Sequence, residues 1–74
     1  MSMGDERLDD LRARLGAIAE EIADIGHARL KDALETGSAE AAAEERRLSR
    51  ARRSVLKAAA LLAHNEREGD FSDL

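Results

Sequence analysis

The sequence predicts an all-α protein, an antiparallel two-helix hairpin that pairs with a second copy to form a four-helix bundle. Three observations carry this expectation. Leu8, Leu11, Leu15, Ile18, Ile22 and Ile25 recur at spacings of 3, 4, 3, 4 and 3 residues, the a/d pattern of a helical seam rather than the alternation of a strand. A central break, Thr36-Gly37-Ser38, separates two long segments that contain no Pro and are rich in Ala, Glu, Arg and Leu. Finally, 74 residues without a single Cys make a marginal lone core, and small folds without disulfides or metals usually draw on a partner chain.

The first helix is expected over residues 5–36, after a disordered stretch 1–4, with Ser2 or Asp5 as its N-cap. Past Ile25 the heptad positions fall on Arg29 and Asp32, and apolar character shifts to Leu30, Ala33 and Leu34, a stutter that relaxes a supercoil locally. Beside the large residues runs a small stripe, Gly16, Ala19, Ala23 and Gly26. At ~100° per residue the two stripes merge into an apolar arc about half the helix circumference wide. One neighbouring helix covers less than that. The first helix is therefore expected to touch more than one other helix, the small stripe allowing one of them to come close.

Gly37 suits the left-handed residue that ends a helix. Ser38 suits the cap of the next one, with Glu40 in its first turn. A turn over 36–38 is short enough to fold the helices back on each other. The second helix is expected over 39–68, ending near Arg67 and Gly69, with residues 69–74 as an acidic flexible tail. Its seam, Ala41, Leu48, Val55 and Leu62, keeps strict seven-residue spacing, with Glu44, Ala51 and Ala58 between and Leu56, Ala59 and Ala63 widening the face. Large residues of the first helix are expected to meet mostly small ones of the second. The candidate interface and core is thus Leu8, Leu11, Leu15, Ile18, Ile22, Ile25, Leu30, Leu34, Leu48, Val55 and Leu62.

Charge narrows the function classes. The net charge is −4, which argues against general nucleic-acid binding. Residues 5–36 hold nine acids and five bases, residues 37–68 five acids and seven bases, a contrast that favours antiparallel closure. No apolar run approaches the ~20 residues of a membrane span. Met1-Ser2-Met3-Gly4 leads straight into acidic residues, unlike a signal peptide. With no Cys, a cytoplasmic setting is expected.

Arg46, Arg50, Arg53 and Lys57 share one outward face of the second helix. Such a stripe can contact phosphates, which makes a nucleic-acid accessory role the alternative function. A solvated face paired with Glu44, Glu45 or acids of the first helix explains it more simply, since no Trp or Tyr and only one Phe is present to stack on bases. Glu20, Asp24 and His27 stand at i, i+4 and i+7, and Asp24-x-x-His27 resembles the Glu-x-x-His element of di-iron bundles. They fall on the helix's outer half, away from the Leu/Ile stripe, so surface pairing is the expectation and no metal or cofactor is assigned; His64 and Glu68 form a similar i, i+4 pair. Neither a Gly-x-Ser-x-Gly elbow nor a Gly-rich phosphate loop occurs.

The segment from Leu11 and Arg12 through Arg29 resembles the first helix of the all-helical chorismate mutases, which place two arginines on one long helix. That resemblance implies an all-α enzyme in which Arg12 and Arg29 would hold substrate carboxylates. The sequence departs from it at Glu40, near where the family places its catalytic lysine, and has no third helix. The residues themselves favour a non-catalytic role: a small adaptor or accessory protein acting through helix-mediated association with itself or with another helical protein, without a small-molecule substrate.

Overall fold

The computed structural model describes residues 3–63, with side chains from residue 6. It consists of α1 (Met3–Thr36, 34 residues) and α2 (Ala39–Leu62, 24 residues), folded back as an antiparallel hairpin. At 1.5 Å per residue a 34-residue helix is roughly 51 Å long, which accounts for the longest dimension of the molecule. The extents are 52 × 28 × 11 Å. The shortest of them is about the width of one helix, so the hairpin is a single layer with no second layer to close a core.

The turn is built as its residues require. Gly37 takes φ +73°, a left-handed conformation that costs a residue with a Cβ roughly 1–2 kcal/mol. Its N–H donates to the Ala33 carbonyl at 2.8 Å, and the Thr36 hydroxyl donates to the Asp32 carbonyl at 2.8 Å. These bonds satisfy terminal carbonyls of α1, whose last turn has no basic residue. Ser38 is extended, and its Oγ accepts from the Ala41 N–H at 3.0 Å, an N-cap. Glu40 sits in the first turn of α2, where it complements the helix dipole.

The start of α1 differs from expectation. α1 begins at Met3, so residues 3 and 4 are helical and Asp5 lies inside the first turn instead of capping it; Ser2 lies outside the described residues. α2 ends at Leu62, where Ala63 turns to φ −65°, ψ 138° and its N–H donates to the Ala60 carbonyl at 3.2 Å. The expected continuation of the helix over residues 64–68 and the expected tail over 69–74 lie outside the described residues.

The Arg29–Glu44 ion pair, 3.7 Å, links the two helices near the turn. Counting equally along both helices from that pair brings Leu62 level with Leu11. The first turns of α1 therefore extend beyond α2. Arg12–Asp9 (3.0 Å) and Arg14–Asp10 (3.3 Å) are exposed pairs within α1, each contributing a few tenths of a kcal/mol.

Candidate association surface

The side chains packed between the helices are small. Ala19, Ala41 and Ala59 are the buried hydrophobic residues among those described, at 2, 3 and 8% exposure. Gly26 is also buried. The expected meeting of large residues on α1 with small ones on α2 is thus replaced, at the centre of the contact, by small against small. Leu15 and Ile22 on α1, and Leu48, Val55 and Leu62 on α2, are half-buried along its margins.

The remaining large residues assigned to the core are not buried by the hairpin. Leu8, Leu11, Ile18, Ile25, Leu30 and Leu34 are all exposed, Ile18 at 45%, Ile25 at 51% and Leu34 at 78%. The reason is angular. On α1, at ~100° per residue, Leu11, Ile18 and Ile25 lie about a quarter turn from the Ala19–Gly26 line that faces α2. One neighbour cannot cover both directions. Leu30 and Leu34 lie on the opposite flank, beside His27, Lys31 and Glu35, where they form a shallow apolar depression.

The small stripe follows the helix–helix contact. Ala19 and Gly26 are buried; Gly16 and Ala23 are half-buried. Yet a Cβ built on Gly16 or Gly26 would meet nothing within 4 Å. The approach of α2 therefore does not require glycine at either position. On that flank shallow grooves run between the helices, one bordered by Gly16, Ala19, Ala23 and Leu56, another by Gly26, Leu48 and Arg52.

On α2 the exposed large apolar residues are Leu56 and Leu61, at 40 and 59%, and Ala51 and Ala58 are among its exposed alanines. Ala51 and Ala58 continue the heptad row of Glu44, whose ion pair with Arg29 fixes the side of the hairpin they occupy. Arg29 in turn continues the row of Leu15 and Ile22, next to Leu11, Ile18 and Ile25. One face of the hairpin thus combines the large ridge of α1 with the small row of α2. Sequence reasoning passed over Leu61, which sits on the polar side of the α2 seam. The helical wheel alone could have marked it as an exposed leucine.

Arg46, Arg50, Arg53 and Lys57 are all exposed. None takes part in an ion pair among the described residues, so the pairing expected with Glu44, Glu45 or α1 acids does not form; Glu44 pairs with Arg29 instead. Glu20, Asp24 and His27 are exposed, and no group of three or more His, Cys, Asp or Glu among the described residues is placed to hold a metal ion. His64 and Glu68 lie outside those residues. Arg12 and Arg29 stand about 25 Å apart along α1, and each is engaged with a carboxylate of its own chain. They do not converge on one ligand within the hairpin. Among the described residues no helix is long and apolar enough to cross a membrane.

No protein-family model, no curated protein and no solved structure matches the chain.

Proposed function

We propose that this protein acts by helix-mediated association, and that its first partner is a second copy of itself, the two single-layer hairpins stacking into a four-helix bundle. One observation carries the reading. Among the described residues the hairpin buries only alanines as hydrophobic core, while eight large apolar side chains stay exposed. A fully buried Leu or Ile contributes about 1.5–3 kcal/mol, and the hairpin realises little of that. Stacking two such faces would supply the missing layer, and the exposed Ala51 and Ala58 would let α2 come close without steric cost. The cytoplasmic setting expected from the absence of Cys belongs to the same reading, as does the expectation that the chain performs no catalysis of its own. Sedimentation equilibrium tests the proposal: a mass of two chains at micromolar concentration supports it, and a single-chain mass with full helicity contradicts it.

A second reading has its own observation. Arg46, Arg50, Arg53 and Lys57 form an exposed basic stripe with no acidic partner among the described residues, so phosphate contact is sterically open. Binding to a nonspecific duplex at ~50 mM salt that falls steeply as salt rises would support it, and no binding at that salt would remove it.

A further inference from the structure

The apolar ridge of α1 has a symmetry that selects how a copy would dock. The spacing 3, 4, 3, 4, 3 from Leu8 to Ile25 reads the same from either end. A second α1 can therefore be laid antiparallel with every seam residue engaged. Leu8 then meets the partner's Ile25, Leu11 the partner's Ile22, and Leu15 the partner's Ile18, each contact repeated by the two-fold axis. A parallel copy would engage the same apolar residues, so the seam alone does not decide direction.

The charges beside the seam do decide it. The row flanking the ridge on the side away from α2 is Arg7, Arg14, Glu21 and Ala28. Reversing one helix brings this row against its own copy. In the register that pairs all six seam residues, Arg14 faces the partner's Glu21, twice by symmetry, and Arg7 faces the partner's Ala28. No like charges meet in that row. In a parallel pair the same row would instead face the opposite flank of the seam, setting Arg14 against the partner's Ala19 and Glu21 against the partner's Gly26, without charge complementarity. Both side chains are free to take the antiparallel role. Arg14 is 67% exposed and holds only Asp10 at 3.3 Å, while Glu21 is exposed with no ion-pair partner among the described residues.

We propose that the second copy docks antiparallel along α1, with the Leu15–Ile18 layers at the two-fold axis and Arg14–Glu21 pairs closing the solvent edge. This rests on the self-association reading above and adds direction and register to it. Exposed pairs of this kind set orientation and partner choice more than total affinity.

Two measurements on the full chain test it. In sedimentation equilibrium, Arg14→Glu or Glu21→Arg alone is expected to raise the dimer dissociation constant about 10-fold, since like charges then meet twice. The double variant, Arg14→Glu with Glu21→Arg, is expected to return to within about 3-fold of the original protein. Spin labels on Ala28→Cys, an exposed position, are expected about 35 Å apart along the axis in this register. A dimer in which the double variant is as weak as the singles, or in which the labels lie within about 20 Å, overturns the antiparallel register and leaves self-association standing. An unmodified chain that stays monomeric at micromolar concentration overturns self-association, and the register with it.

Discussion

The two edges of α1 differ in a way that separates what the hairpin needs from what it holds in reserve. The edge toward α2 is lined at its centre by Ala19 and Gly26 and is buried. The edge about a quarter turn away carries Leu11, Ile18 and Ile25 and is exposed. In a self-sufficient fold the larger residues would take the buried edge, because burial stabilises in proportion to apolar area. Here the arrangement is reversed. The lesson is that size and burial within one chain are uncoupled along this helix, which makes sense if the larger residues are buried between chains.

That contrast can be broken from its exposed side with the largest expected effect. Ile18→Asp places a charge where an apolar partner layer would sit, and should abolish association, a loss of several kcal/mol of pairing free energy. Because Ile18 is exposed in the hairpin, the substitution acts on the contact between copies, and helicity should be lost together with association. Ile22→Asp, at a half-buried position, should dissociate or unfold the protein outright. Mass by sedimentation together with helicity by circular dichroism checks both; a monomeric, fully helical Ile22→Asp protein would contradict the assignment of that residue.

A smaller effect is expected at the turn. Gly37→Ala should cost about 1–2 kcal/mol, because φ is +73° and nothing else crowds the position. Ser38→Ala should cost about 1 kcal/mol through loss of the cap to Ala41. Urea titrations at fixed protein concentration read both.

The buried edge supplies a change of opposite sign. With nothing within 4 Å of a Cβ on Gly26, Gly26→Ala should stabilise by up to about 1 kcal/mol through helix propensity. If instead it weakens association, the groove beside Gly26 is itself a docking edge, and the contrast between the two edges of α1 must be redrawn. The smallest effect is expected at Leu34, exposed to 78% and outside the Leu8–Ile25 seam: Leu34→Ser should change stability by no more than about 0.5 kcal/mol.

Much of the fold was legible in the sequence. Heptad spacing gave two helices, and Gly37 and Ser38 marked the turn with the roles they have in the structure. Less could be read about packing. Periodicity identifies apolar residues but not the neighbour each one faces, and an arc as wide as that of α1 offers α2 several directions. The direction taken buries alanines, which a ranking by hydrophobicity places last. The start of α1 was also missed: it lies ahead of Asp5. As for the candidate association surface, its large residues were named from the sequence, but their exposure in a single chain follows from geometry that spacing does not contain.

Thermal melting followed by circular dichroism across a wide range of protein concentrations tests the dependence of folding on association most directly. A midpoint that rises steadily with concentration, with helicity lost on dilution, is the expected result. A compact chain that keeps its helicity and melts at one high temperature down to nanomolar dilution would contradict it.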